Sequence, residues 1–194
     1  MIDLLIARLK GFLLDPVETF RKSRDDDSRV LFFYFGALFL LNAILSARIG
    51  LFFGIRNILL PSGMSLGSTA MLTGFFIIMM YSVIFILLLT AWIHLWVYLF
   101  GGRKGIMQTF KAILYGDTPN LLLGWIPFIG IIFTLWSLVL GVLGIRELQE
   151  ISTRNAVLAV TIAIITMLIP VILLTAYLMT SNMVFIPVPV SPGT

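Results

Sequence analysis

From Ala70 to Phe100 the chain carries no Asp, Glu, Lys or Arg. That run restricts the fold more than any motif does. An apolar segment longer than about 18 residues reads as a membrane-spanning helix, because in hydrocarbon only a helix or a closed barrel satisfies its own backbone. Three further runs qualify: Val30–Ala47, bounded by Arg29 and Arg48, then Pro127–Ile145 and Ala156–Thr180. Composition agrees, with 60% of the 194 residues hydrophobic and 11% charged. A soluble domain carries about 25% charged residues and keeps too much of its surface wet to hide so many apolar side chains. With no cysteine and only His94 as histidine, thiol chemistry and histidine-based metal sites are excluded. Neither a metal nor another cofactor is expected.

Between the second and third runs lies Met107–Trp125, polar enough to escape a hydropathy threshold. At about 1.5 Å per residue it covers nearly all of a ~30 Å core. It reads as a further span, bent or broken at Gly116 and Pro119. Five spans place every one of the 13 basic residues except Arg48 and Arg56 on the side of the N-terminus. The positive-inside rule makes that side cytoplasmic. With four spans the Arg146–Arg154 loop would fall outside. The predicted fold is an all-α integral membrane five-helix bundle, with a cytoplasmic N-terminal amphipathic helix and a kinked third span. Residues 1–29 form the N-terminal segment, 30–180 the membrane domain and 181–194 an extended, proline-containing extracytoplasmic tail. Residues 51–69 read as an interfacial loop on the outer face. The series Ser46, Gly50, Gly54 has small-residue spacing that permits close helix approach.

The first ten residues, MIDLLIARLK, mix acid and bases and do not read as a signal peptide. Ile2, Leu5, Ile6, Leu9, Phe12 and Leu13 fall on one helical face, which predicts a helix lying in the membrane interface. Asp15-Pro16-Val17-Glu18 predicts a second helix start, with Asp15 as cap, Pro16 in the first turn and Glu18 three residues on. The Asp25-Asp26-Asp27-Ser28 run reads as a solvated cap on the first span, or as a cation or partner contact.

Polar groups inside the spans are few: Asn42, His94, Asp117 and Asn120. Counted from the cytoplasmic ends, Asn42 lies roughly 18 Å deep, Asp117 roughly 15 Å and His94 roughly 9 Å. Asn42 and Asp117 can therefore meet if the first and third spans touch. Pro119 removes a backbone donor and frees a carbonyl near residue 115. Asp117 has two readings. It is a cap on the second half of a broken helix, or an acid at a broken helix of the kind ion-coupled transporters use. His94 reads as a helix-contact histidine, with a proton relay as the other reading. Trp92, Trp96, Tyr98 and Trp125 read as interface anchors. Arg103 and Lys104, in the Gly101–Gly105 turn, are placed to touch anionic lipid headgroups. No catalytic dyad and no nucleic-acid surface is present, so no enzyme activity is expected.

The order of DPVETF (15–20), GGRKG (101–105), ILYGDTPNLLLGWIPFIG (113–130) and LWSLVLGVLGIRELQEIS (135–152) resembles the Yip1 domain family, from about Phe12 to about Met179. The resemblance implies a five-span bundle with a cytoplasmic N-terminus. It also implies structural roles for Pro16, Gly101, Gly102, Pro119, Pro127, Gly130 and Gly144. Eukaryotic relatives are linked to Golgi and ER vesicle trafficking and to Rab-type GTPases, which they bind through long N-terminal regions. With 29 residues ahead of the first span, GTPase binding is not expected here. The chain is more similar to short archaeal or bacterial members, which places it in a cell membrane. The functional expectation is a non-enzymatic protein that organises the membrane or partner proteins. Its partners would be lipids, other membrane proteins or a second copy of itself. The alternative is a small transporter, channel or lipid-translocating protein using Asp117.

Overall fold

A computed structural model of the chain describes residues 2–52 and 68–183. Among these residues every regular element is a helix: α1 (Ile2–Leu14), α2 (Pro16–Ser23), α3 (Ser28–Phe52), α4 (Ser68–Leu99), α5 (Ile106–Gly116), α6 (Thr118–Leu123), α7 (Gly130–Gln149) and α8 (Thr153–Met183). Four of them, α3, α4, α7 and α8, are long and apolar enough to cross a membrane. The loop expected at 51–69 and the tail expected at 181–194 lie mostly outside the described residues. Residues 181–183 close α8, and Gly54 also falls outside.

Met107–Trp125 is not one kinked helix. It is α5 and α6, separated at Asp117, followed by turns through residue 129. Neither piece is long enough to cross a membrane alone. α7 begins at Gly130 rather than Pro127, because Phe128 takes a positive φ of 66° and a helix cannot pass through it. The two short helices run antiparallel along the whole of α7. Gln149 Nε2 donates to Thr109 Oγ1 at 2.9 Å and Asn120 N–H donates to Ser137 Oγ at 3.0 Å. Between these, Gly116 sits on Gly141. A Cβ added at Gly116 would stand 2.8 Å from the Gly141 nitrogen, so only glycine permits this approach.

The N-terminal helices are docked, not free. α2 starts as its sequence predicts, with Asp15 accepting from the Glu18 N–H at 3.4 Å and Pro16 in the first turn. The apolar stripe of α1 is used largely against protein rather than lipid. Phe12 is fully buried and stacks on Tyr115, ring centroids 4.8 Å apart, with Phe20 equally near. Leu5 and Leu9 pack on the same core, while Ile6 stays exposed. Leu13 lies in a groove with Ile132 and Trp136 of α7. Burying an aromatic ring of this size contributes about 1.5–3 kcal/mol, more than an exposed ion pair does. The aspartate run is correspondingly not a uniform solvated cap. Asp26 pairs with Arg8 at 2.5 Å and accepts from Tyr115 OH at 2.8 Å, whereas Asp25 and Asp27 face outward.

The two ends of the molecule differ. At the basic end α1, α2, α5 and α7 crowd around the starts of α3 and α8 and the end of α4. At the other end α4 and α8 project past the α6–α7 turn. Every described side chain of α4 from Thr73 to Leu89 is at least partly exposed, and α8 is exposed throughout from Leu168 to Thr180.

Candidate functional site

Asp117 sits at the break between α5 and α6. The carbonyl that Pro119 would leave unpaired, Tyr115 O, accepts from Thr118 Oγ1 at 2.6 Å. With that proton committed, Tyr34 OH donates to Thr118 Oγ1 at 2.9 Å and ties α3 to the break. The capping reading of Asp117 fails here, because its carboxylate makes no cap bond to α6. One oxygen instead accepts from Asn120 Nδ2 at 3.1 Å. Asn42 does reach this level, as depth predicts, but it donates to the backbone carbonyls of Asn120 (3.2 Å) and Leu121 (2.9 Å), not to Asp117. Asn120 is the hub. Its Oδ1 accepts from Thr134 Oγ1 at 3.0 Å and its N–H donates to Ser137 Oγ. Interhelical hydrogen bonds in membranes average about 0.6 kcal/mol, so this set fixes register more than it stabilises.

Asp117, Thr134 and Ser137 also border a cavity of about 470 Å³. The rest of its wall is apolar, with side chains from α3, α4, α5, α7 and α8. It opens between α4 and α7, which pack on α5 and α8 rather than on each other. Phe85 on α4 and Leu135 on α7 stand half or more exposed at the opening.

The other residues singled out by sequence do not join this site. His94 Nδ1 lies 2.8 Å from Thr109 Oγ1, a contact between α4 and α5. Trp92 donates to Ala163 O on α8 at 3.0 Å, so it bridges helices as well as marking an interface. Arg103 lies over the Tyr98 ring at 3.7 Å and donates to Tyr98 O. Lys104 pairs with Glu150 at 2.5 Å, and Arg24 pairs with the same carboxylate at 2.6 Å. The Lys104 hydrogen bond holds the Glu150 carboxyl below its ordinary range, with Arg24 adding to the effect. Gly101 takes φ +100°, and a Cβ on Gly102 would meet Val97 at 2.5 Å. Pro16 and Pro119 each occupy a first helical turn, and Pro127 lies in the turn before α7. A Cβ on Gly130 would meet Gly124 O at 2.3 Å, and one on Gly144 the Phe20 ring at 2.7 Å. Among the described residues no group of three or more His, Asp or Glu is arranged to hold a metal.

Sequence reading missed Tyr34, Thr118, Thr134, Ser137 and Gln149. A signal was available for two of them, Thr134 and Ser137 on α7. Gly130, Thr134, Ser137, Gly141 and Gly144 recur at alternating steps of four and three, the seam of a closely packed helix pair. Buried Gln149 carried no such signal. It accepts from Lys104 N–H at 3.0 Å and donates to Gly105 O at 2.8 Å, pinning the glycine turn from across the bundle.

No curated protein and no solved structure matches the chain. A family model does, that of the Yip1 domain, over residues 10–175. This span takes in the docked α2, the glycine turn, the broken α5–α6 segment and its packing partner α7, and the chain belongs to the Yip1 domain family.

Proposed function

We propose that this protein is a non-enzymatic organiser of membrane shape and of partner proteins, with five crossings, a cytoplasmic N-terminus and an extracytoplasmic C-terminus. The observation that carries this reading is the taper of the described helices. Among the described residues one end is broad, with α1 and α2 wedged beside α5 and α7, and the other consists of projecting α4 and α8 with the end of α3. The broad end is also the basic end, which the positive-inside rule makes cytoplasmic. A body wider in one leaflet favours bilayers in which that leaflet is expanded. The docked N-terminal helices supply a preformed surface for partners, with Arg21 and Lys22 of α2 exposed on it. Removing residues 1–24 would also strip Phe12 and Phe20 from the core, so sorting on an intact protein is the better test. In nanotubes pulled from giant vesicles, protein with its broad end outward is expected to concentrate in the tube relative to the flat membrane. An even distribution would reject the shape reading.

A second reading, a small transporter, channel or lipid-translocating protein, draws on the position of Asp117 beside the cavity. Proton, ion or lipid flux in proteoliposomes that falls with Asp117→Asn would support it. Flux no greater than in empty liposomes would remove it.

A further inference from the structure

The cavity beside Asp117 is built like a binding site for one molecule of mixed character. Its volume of about 470 Å³ falls within the range of small-molecule sites, which are mostly apolar with a few placed polar groups. Apolar walls come from Phe35 on α3, Leu89 and Ile93 on α4, Ile113 on α5 and Val160 on α8. The polar groups sit together on one side: the carboxylate of Asp117 and the hydroxyls of Thr134 and Ser137. Thr134 Oγ1 donates to Asn120 Oδ1 and Gly130 O, and Ser137 Oγ accepts from Asn120 N–H, so neither hydroxyl is seen donating to Asp117 among the described residues. Of the Asp117 oxygens, Oδ1 accepts from Asn120, and no partner is recorded for Oδ2 among the described residues. Among the described residues no Lys, Arg or His lines the cavity. A carboxylate in such a low-dielectric wall is costly unless it is neutralised or finds a cation. The opening between α4 and α7 faces where acyl chains lie if both helices cross the membrane.

We propose that this cavity binds a single-chain amphiphile with a cationic amine head, the chain among the apolar side chains and the ammonium on Asp117 Oδ2. The amine is chosen over a carboxylate head because a second negative charge would face Asp117 with no cation to offset it. It is chosen over a neutral hydroxyl head because only the cation compensates the acid, and charge-assisted hydrogen bonds are roughly twice as strong as neutral ones. The inference goes beyond the shape-organising reading and does not depend on it, since binding requires no flux and no curvature.

The test compares three probes of one chain length, tetradecylamine, tetradecanol and myristate, on purified full-length protein in nanodiscs. Binding is read by native mass spectrometry against empty nanodiscs. The amine is expected to bind at least tenfold more tightly than the alcohol, with myristate weakest. Asp117→Asn is expected to bring the amine down to the level of the alcohol and leave the alcohol unchanged. Gly141→Leu tests the cavity itself. A Cβ at Gly141 meets only Ile113 Cδ1, at 3.9 Å, and both residues border the cavity, so the added side chain is expected to take up its open space. That variant is expected to lose the amine and the alcohol together, with helix content checked by circular dichroism. Three results would each overturn the proposal: equal binding of amine and alcohol to wild type, amine binding untouched by Asp117→Asn, or binding that survives Gly141→Leu in the folded variant. The first two need no inference from a failed fold, because the wild-type comparison and Asp117→Asn stand alone.

Discussion

Single residues in this protein matter by what their atoms touch. Gly116 is the sharpest case. An added methyl would press on the Gly141 backbone at 2.8 and 2.9 Å, and backbone cannot swing aside. Gly116→Ala is expected to cost about 1–3 kcal/mol by overpacking, read as a lower midpoint in thermal unfolding in detergent. Gly36→Ala and Gly74→Ala are the matched controls, since neither Cβ meets anything within 4 Å. Both are expected to leave the midpoint unchanged or raise it slightly, because alanine is the better helix former. Phe12 makes the opposite point, a side chain whose loss leaves a hole. Phe12→Ala is expected to cost about 3–5 kcal/mol and to open the α1–α2 segment to protease near Arg24 while α7 and α8 stay protected.

Among the helices and turns, the loop that carries Gly101–Gly105 is held from two sides, by buried Gln149 and by the Lys104–Glu150 pair. The pair is pH-dependent in a definite direction. The folded Glu150 carboxyl lies below its ordinary value of 4.5, so its contribution is present above that pH and is lost as pH falls through the lower folded value. Amide exchange in the loop, corrected for intrinsic pH dependence, is expected to speed up below about pH 4.5, and Glu150→Gln is expected to remove that acid dependence. This tether was not legible in the sequence, because Lys104 and Glu150 are far apart along the chain and either reads as an ordinary surface charge. The α2 cap was legible, since Asp15, Pro16 and Glu18 act on neighbours a few residues away. So were the four long apolar helices, whose composition alone demands them. What the structure corrects is Met107–Trp125 as one continuous kinked helix. Its Asp117-Thr118-Pro119 break could be placed by sequence, but whether the chain bends or stops there depends on Tyr34 and Asn42 from α3 taking up the freed groups. The acid itself was found by sequence, while the cavity beside it needed five helices to be in place.

For the molecule as a whole, the topology turns on how far the α6–α7 turn reaches. The chain contains no cysteine, so single-cysteine variants need no prior background substitution. Phe128 stands exposed at the tip of that turn. Under five crossings, Phe128→Cys is expected to react with an impermeant maleimide added outside intact cells, and Ser152→Cys only after lysis. A Phe128→Cys that resists the reagent from both sides would mean that the turn ends inside the bilayer, as a re-entrant hairpin. The stacking of Phe12 on Tyr115 has a consequence for synthesis as well. Phe12 leaves the ribosome about a hundred residues before its partner. The earliest-made helix therefore finishes its packing late, and must wait in the membrane interface, apolar face down, until α5 arrives to receive it. Its amphipathic pattern, largely buried in the finished protein, is what allows that wait.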